Sequence, residues 1–119
     1  MSYRAFVSMN IAIIGDGETA ELYAVGFACA GHQVHMACRE DSGERISDWL
    51  ASFNNVQVCS IEQAADIADL IIIATAPKHV REVAYWLGDV RNKVIIDATS
   101  NIHAPDEELV KTICAIQAI

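Results

Sequence analysis

An α/β fold, a parallel sheet with helices packed on both faces, is predicted for this chain by three observations. Short apolar runs of strand length recur at Ile11–Ile14, Val34–Ala37, Val56–Cys59, Leu70–Ala74 and Lys93–Ala98. Segments of helical spacing or composition separate most of them, so successive strands need crossover connections and run parallel. The first run is followed at once by Gly15, Gly17 and Ala20, small residues at the spacing of a tight turn between a strand and a helix. The predicted architecture is a doubly wound sheet of three layers with strand order 3-2-1-4-5, in which the winding reverses between the first and fourth strands.

Along the chain, Met1–Ser8 alternates weakly through Tyr3, Ala5 and Val7, which fits either an extra edge strand or a loose tail. Met9 offers a second candidate start for translation. Ile11–Ile14 is short and wholly apolar, as expected of a strand buried on both faces. Gly17–Ala30 is rich in helix formers, and Gly31 supplies the stop. After the second strand comes the polar turn Arg39–Gly43, then Glu44–Phe53, where Ile46, Trp49, Leu50 and Phe53 recur at helical spacing and Asn54-Asn55 closes the helix.

Ile61–Ile67 reads as a helical turn or short helix between the third and fourth strands. Pro77 ends the fourth strand, because proline cannot continue a central one. Lys78–Leu87 has Val80, Val83, Ala84 and Leu87 on one helical face and stops at Gly88. The fifth strand holds VIIDA, and Pro105 begins a final helix over Asp106–Ala115.

The turn after the first strand carries the chemistry. Gly15 permits the bend, Gly17 lets the backbone approach a pyrophosphate with no Cβ in the way, and Ala20 allows the helix to lie close to the strand. The free amides and positive dipole end of that helix face the phosphates, with Thr19 as a side-chain donor. This is the dinucleotide fingerprint of a Rossmann unit. Ligands in such sheets bind beyond the carboxyl ends of the strands, so the loops that matter follow the first, second, fourth and fifth strands.

Domains of this type that bind NAD place an acidic residue at the end of the second strand. Here Cys38 and Arg39 occupy that position. An arginine offers a planar fork of donors to a 2′-phosphate, so NADP is favoured over NAD. Glu40 and Asp41 follow and are alternative partners for Arg39. Asp16 and Glu18 oppose the site. They flank Gly17 at the helix N-terminus, where carboxylates satisfy the same amides and dipole as a pyrophosphate. If either folds over the turn, anion binding weakens.

Composition narrows the class. The 119 residues are 53% hydrophobic, enough for one substantial core over 1–119, with no room for a separate substrate domain. A net charge of −8 argues against a nucleic-acid-binding surface. No apolar run approaches the roughly 20 residues that span a bilayer, so no membrane role is expected. Cys29, Cys38, Cys59 and Cys114 form no CxxC pair and nothing resembles a signal peptide, so reduced thiols and a cytoplasmic location are expected. No metal is expected either: His35 and Cys38 lie an odd number of residues apart on a strand and point to opposite faces.

Four runs, GDGETA, AGHQVHMACR, ADLIIIATAP and KVIIDATSNI, together resemble the NADP-binding domain of the deazaflavin-dependent NADP reductase family, which is related to pyrroline-5-carboxylate reductase and the 6-phosphogluconate dehydrogenase superfamily. The resemblance covers Asn10 to Ile102. It implies that Cys38 and Arg39 stand where the family commonly has a serine and an arginine on the 2′-phosphate; the thiol is the poorer donor. It also implies that Ala74, Thr75, Ala76 and Pro77 lie along the nicotinamide half of the cofactor. Asp97, Ala98 and Thr99 match the start of the family's Asp-Ala-Thr-Asn-Pro run, which Ser100 and Ile102 then interrupt.

The sequence therefore points to an NADP(H)-binding Rossmann domain of an oxidoreductase type, with the substrate pocket completed by another chain or a dimer mate. The family's further substrate-binding elements are absent from this sequence. The alternative is a non-catalytic module that senses nucleotides or binds a partner, its cofactor site weakened by the acidic turn. No catalytic residue is assigned, although His79 and His103 fall at the ligand edge, where an imidazole can act as acid or base. Lys78 is a further cation beside Pro77. The small size and the apolar tail Ile113–Ile119 suggest a homodimer.

Overall fold

The computed structural model describes residues 7–15, 17–38, 50, 52–99 and 117. Five parallel strands form one sheet in the order β3-β2-β1-β4-β5, as expected: β1 Asn10–Ile14, β2 Gln33–Ala37, β3 Val56–Val58, β4 Leu70–Ile73 and β5 Val94–Asp97. Among the described residues three helices can be traced between them: α1 Glu18–Cys29, α2 Ile61–Ile67 and α3 Val80–Trp86. The register aligns Ile11 with Val34 on one side and Leu70 on the other, and Leu70 in turn with Val94.

The central strand is apolar on both faces because both are covered. Ile11 and Ile13 pack with Val34, Met36 and Ile72 beneath Ala20, Ala24 and Ala28 of α1. Ala12 and Ile14 pack on the other face with Ile71, Ile73, Ile61, Ala64 and Ala65, and with Val80, Val83 and Ala84 of α3. Ile11, Ile13 and Ile14 are at most 1% exposed, and each such side chain contributes roughly 1.5–3 kcal/mol. The inward stripe of α1 is three alanines at four-residue spacing, which lets its backbone approach the sheet closely.

Helix ends follow local chemistry. α1 stops at Gly31, whose φ of 93° is left-handed. The His32 amide donates to the Phe27 carbonyl at 3.1 Å and the Gly31 amide to Ala28 at 3.0 Å, the bond pair of a Schellman stop. α2 begins with a capping box, Ser60 accepting from the Gln63 amide at 3.1 Å while Gln63 accepts from the Ser60 amide at 3.2 Å.

Several expected boundaries move. The helix expected over Lys78–Leu87 is a 3-10 turn, Pro77–His79, followed by α3, because Pro77 opens the turn and the His79 amide bonds back three residues to Ala76. Phe53 lies in a turn rather than in the helix expected over Glu44–Phe53; of that segment only Leu50, helical and fully buried, Ser52 and Phe53 are described. The final helix expected over Asp106–Ala115 lies outside the described residues, as do Asp16, Arg39 and His103. Gln117 is described, and its amide group bonds to the Val90 N–H and the Gly88 carbonyl. Val7 and Ser8 form no strand.

The two faces of β5 differ in exposure. Ile95 packs into the core on the α3 side. Val94 and Ile96 point to the α1 side and are 62% and 43% exposed.

Candidate functional site at the carboxyl edge of the sheet

β1 and β4 are neighbours, so the loops that follow them leave the sheet side by side at the reversal of winding. Gly15 sits at that point with φ 146°. A Cβ built on it would lie 2.6 Å from the Ala74 carbonyl oxygen and 2.9 Å from its carbon, with Ala20 Cβ at 3.4 Å. Only glycine fits. The reason is tertiary: the backbone of β4 occupies the space a side chain needs. The Gly15 amide donates to the Ala37 carbonyl at 2.8 Å, which joins the turn to the end of β2.

Gly17 differs. It is the N-cap of α1, with φ −87° and ψ −179°, and a Cβ there would meet nothing within 4 Å. Among the described residues nothing requires glycine at this position. The open space lies directly before the amides that start the helix, and the N-cap has no side chain to close over them. Glu18 and Thr19 are exposed in the first turn, and Ala20 is fully buried. The N-cap itself makes no side-chain bond to these amides, and Asp16 lies outside the described residues. Glu18 and Glu21 nevertheless make the first turn acidic.

The other expected residues gather at the same edge. Cys38 is half-buried just past β2. Ala74 and Thr75 are buried beyond β4, and Ala76, Pro77 and Lys78 are exposed. Thr99 follows β5, and both its amide, at 3.0 Å, and its hydroxyl, at 2.6 Å, donate to Asp97 Oδ1. With its proton committed, the Thr99 hydroxyl has only lone pairs to offer a ligand. The sequence reading noted Asp97 but missed this turn; the Asp-x-Thr spacing was the available signal. His79 is half-buried in the 3-10 turn. Among the described residues, no three His, Cys, Asp or Glu side chains come together as a metal-binding group, and no helix is long and apolar enough to cross a membrane.

A parallel 3-2-1-4-5 sheet whose first strand turns through Gly-x-Gly at the switch point is the architecture of the Rossmann dehydrogenases. Residues 10–101 match the family described as NADP oxidoreductase, coenzyme F420-dependent, and the chain belongs to that family. Solved structures agree on the fold. A UDP-glucose dehydrogenase from the hyperthermophilic archaeon Pyrobaculum islandicum matches with a TM-score of 0.77 at 15% identity, over 98% of this chain and 35% of its own. An imine reductase from Pseudomonas sp. matches at 0.75 and 19%, over 94% of this chain and 39% of its own. A proposed F420-dependent NADP reductase from Arthrobacter sp. FB24 matches at 0.67 and 23%, over 82% and 49%. The chain thus spans about a third to a half of these proteins. No curated protein matches it.

Proposed function

We propose that this chain is a single cofactor-binding domain that holds NADP(H) for an oxidoreductase, with the substrate pocket completed by further polypeptide, from a dimer mate or a separate chain. The observation that carries this reading is the open space over Gly17. Among the described residues nothing lies within 4 Å of a Cβ at this position, the N-cap brings no side chain to the amides behind it, and a pyrophosphate has the charge and shape to use them.

In this reading Gly15 and Ala20 set the turn against β4, and the α1 amides with Thr19 hold the pyrophosphate. Arg39, next after Cys38, takes the 2′-phosphate through its fork of donors. Ala74 to Pro77 and Thr99 border the nicotinamide half, where Thr99 accepts rather than donates. The bound nicotinamide supplies the hydride; the protein supplies position and the exclusion of water. The acidic first turn, Glu18 and Glu21, favours the rival reading of a partner-binding module with weakened cofactor affinity.

Calorimetric titration of the purified chain separates the two. Micromolar binding of NADPH, weaker binding of NADH, and at least a tenfold loss of NADPH affinity in Arg39→Ala are expected. Gly17→Val should lower stability by only about 1 kcal/mol, the scale of an N-cap change, while NADPH binding falls below detection. No heat with either cofactor at millimolar concentration would sink the proposal and leave the partner-binding module.

A further inference from the structure

The amino-terminal edge of the sheet contains the one buried imidazole among the described residues. His35 is the middle residue of β2 and is 6% exposed. Its backbone pairs with Ala12 of β1 and Gln57 of β3. Val34 and Met36 face α1, so the strand alternation turns His35 with Ala37 toward the opposite layer, where Ala12, Ile61, Ala64 and Ala65 form an apolar lining.

The ring has one polar partner. Nε2 lies 3.1 Å from Asn10 Oδ1, and Nδ1 is buried with no hydrogen-bond partner. If Nε2 donates to the Asn10 amide oxygen, Nδ1 carries only a lone pair. The other tautomer would bury an N–H with no acceptor, which costs more. The fold therefore selects the neutral ring protonated at Nε2. A second proton would place both a charge and an unsatisfied donor in the core.

Among the described residues, none of the groups facing the ring is an anion. Asp69 accepts from the Asn10 backbone amide at 3.0 Å and does not bond to the ring. On α2 the buried residues are Ile61, Ala64 and Ala65, whereas Glu62 and Asp66 are exposed. β1 and β4 present Ala12 and Ile71, and β3 presents uncharged Gln57. The half-buried Cys59 thiol is pushed up by burial and stays neutral. His32, on the same edge, accepts the Met9 amide through Nδ1 at 3.1 Å.

We propose that His35 is an acid-sensitive latch on this edge of the sheet. As the neutral ring it ties β2 to β1 through Asn10, and protonation expels it, loosening the β1–β2 seam and the α2 layer above it. Burial holds its pKa below the ordinary 6.5, in keeping with this geometry. A His with a depressed folded pKa leaves stability intact above 6.5 and erodes it as pH falls from 6.5 toward the folded value. The latch is independent of the cofactor reading and is tested without cofactor.

The experiment is urea unfolding of the full chain from pH 8 to pH 5. Below pH 6.5 the unfolded-to-folded ratio of the wild type should rise by up to about tenfold per pH unit from this one group. His35→Gln, which keeps a donor for Asn10 and cannot titrate there, should remove that increment, and His32→Gln should retain it. Because His35→Gln could fail to fold, the wild-type ring is followed in parallel by NMR: at pH 6 the folded protein should show neutral His35 protonated at Nε2. A His35 ring that titrates at or above 6.5 in the folded chain, or an unchanged acid slope in a folded His35→Gln, overturns the latch.

Discussion

At the amino-terminal edge of the sheet, side chains bond across distant elements, whereas at the carboxyl-terminal edge the described side-chain bonds, Ser60 with Gln63 and Asp97 with Thr99, stay within three residues of the chain. On the amino side Asn55 Nδ2 donates to the carbonyls of Ala28 at 2.8 Å and His32 at 2.9 Å, which secures the end of α1. Lys93 Nζ donates to the carbonyls of Asp66 and Ala68 at the end of α2. Asn10 and Asp69 exchange bonds between β1 and β4: the Asn10 amide donates to Asp69 Oδ2, and the Asp69 amide donates to the Asn10 carbonyl at 2.8 Å.

On the carboxyl side α1 opens on a glycine with no capping side chain, and the ladder continues by backbone alone through Gly15 to Ala37 and Ala98 to Ile73. A parallel sheet sends all its strands out at one edge, so helix N-termini and their free donors collect there. At that edge α2 is capped by Ser60 and Gln63, whereas the N-cap of α1 brings no side chain to its amides.

Gly15→Ala strikes hardest at the carboxyl edge, because it forces a Cβ against the Ala74 carbonyl and a non-glycine residue into φ 146°. A loss of roughly 3 kcal/mol or more is expected, enough to leave much of the chain unfolded in a urea titration. If it folds like the wild type, β4 yields at this point and the close approach is not a structural constraint.

Asn55→Ala should cost about 1–2 kcal/mol, since it removes two side-chain bonds from partly buried carbonyls. Hydrogen exchange at the α1 terminus should accelerate while cofactor titration is unaffected. A change in cofactor affinity instead would show that the two edges are coupled.

The smallest effect is expected at Asp89, which pairs with Arg91 at 2.8 Å on the exposed loop before β5. The Arg91 hydrogen bonds hold its carboxyl down at about 2, against an ordinary 3.8. A carboxylate with a depressed folded pKa contributes above 3.8 and loses that contribution as pH falls toward 2. The unfolding midpoints of Asp89→Asn and wild type should therefore converge near pH 2 and differ slightly above pH 4. A constant gap across this range would rule out the ion pair as its source.

How much was legible in advance depends on whether a feature is local. Ile61–Ile67 was legible as a helical segment because its small apolar residues lie within the helix itself, although the Ser60–Gln63 capping box that opens it was not read. The Gly31 stop and the apolar β1 are of the same kind. In the 3-10 turn at Pro77–His79, Pro77 was read as the end of the fourth strand and Lys78 and His79 as plain helix, because apolar spacing fits both helical forms. The Asp97–Thr99 turn was missed because its side-chain bonds arise only in the conformation the chain adopts beyond β5.

The two site glycines look alike in the sequence but play different parts in the structure. Their spacing, together with the alternation of apolar runs and helical segments along the chain, was enough to predict the order β3-β2-β1-β4-β5, since crossover handedness leaves few alternatives. Only the packed structure decided that Gly15 is held in place by the carbonyl of Ala74, a residue far along the chain, whereas Gly17 touches nothing. Likewise, only packing decided that His35, one polar residue in an apolar strand, lies buried with a bare nitrogen. Spacing along a chain encodes periodicity and conformational preference, but distances to remote backbone and the burial of single atoms are set when strands from distant parts of the sequence come together.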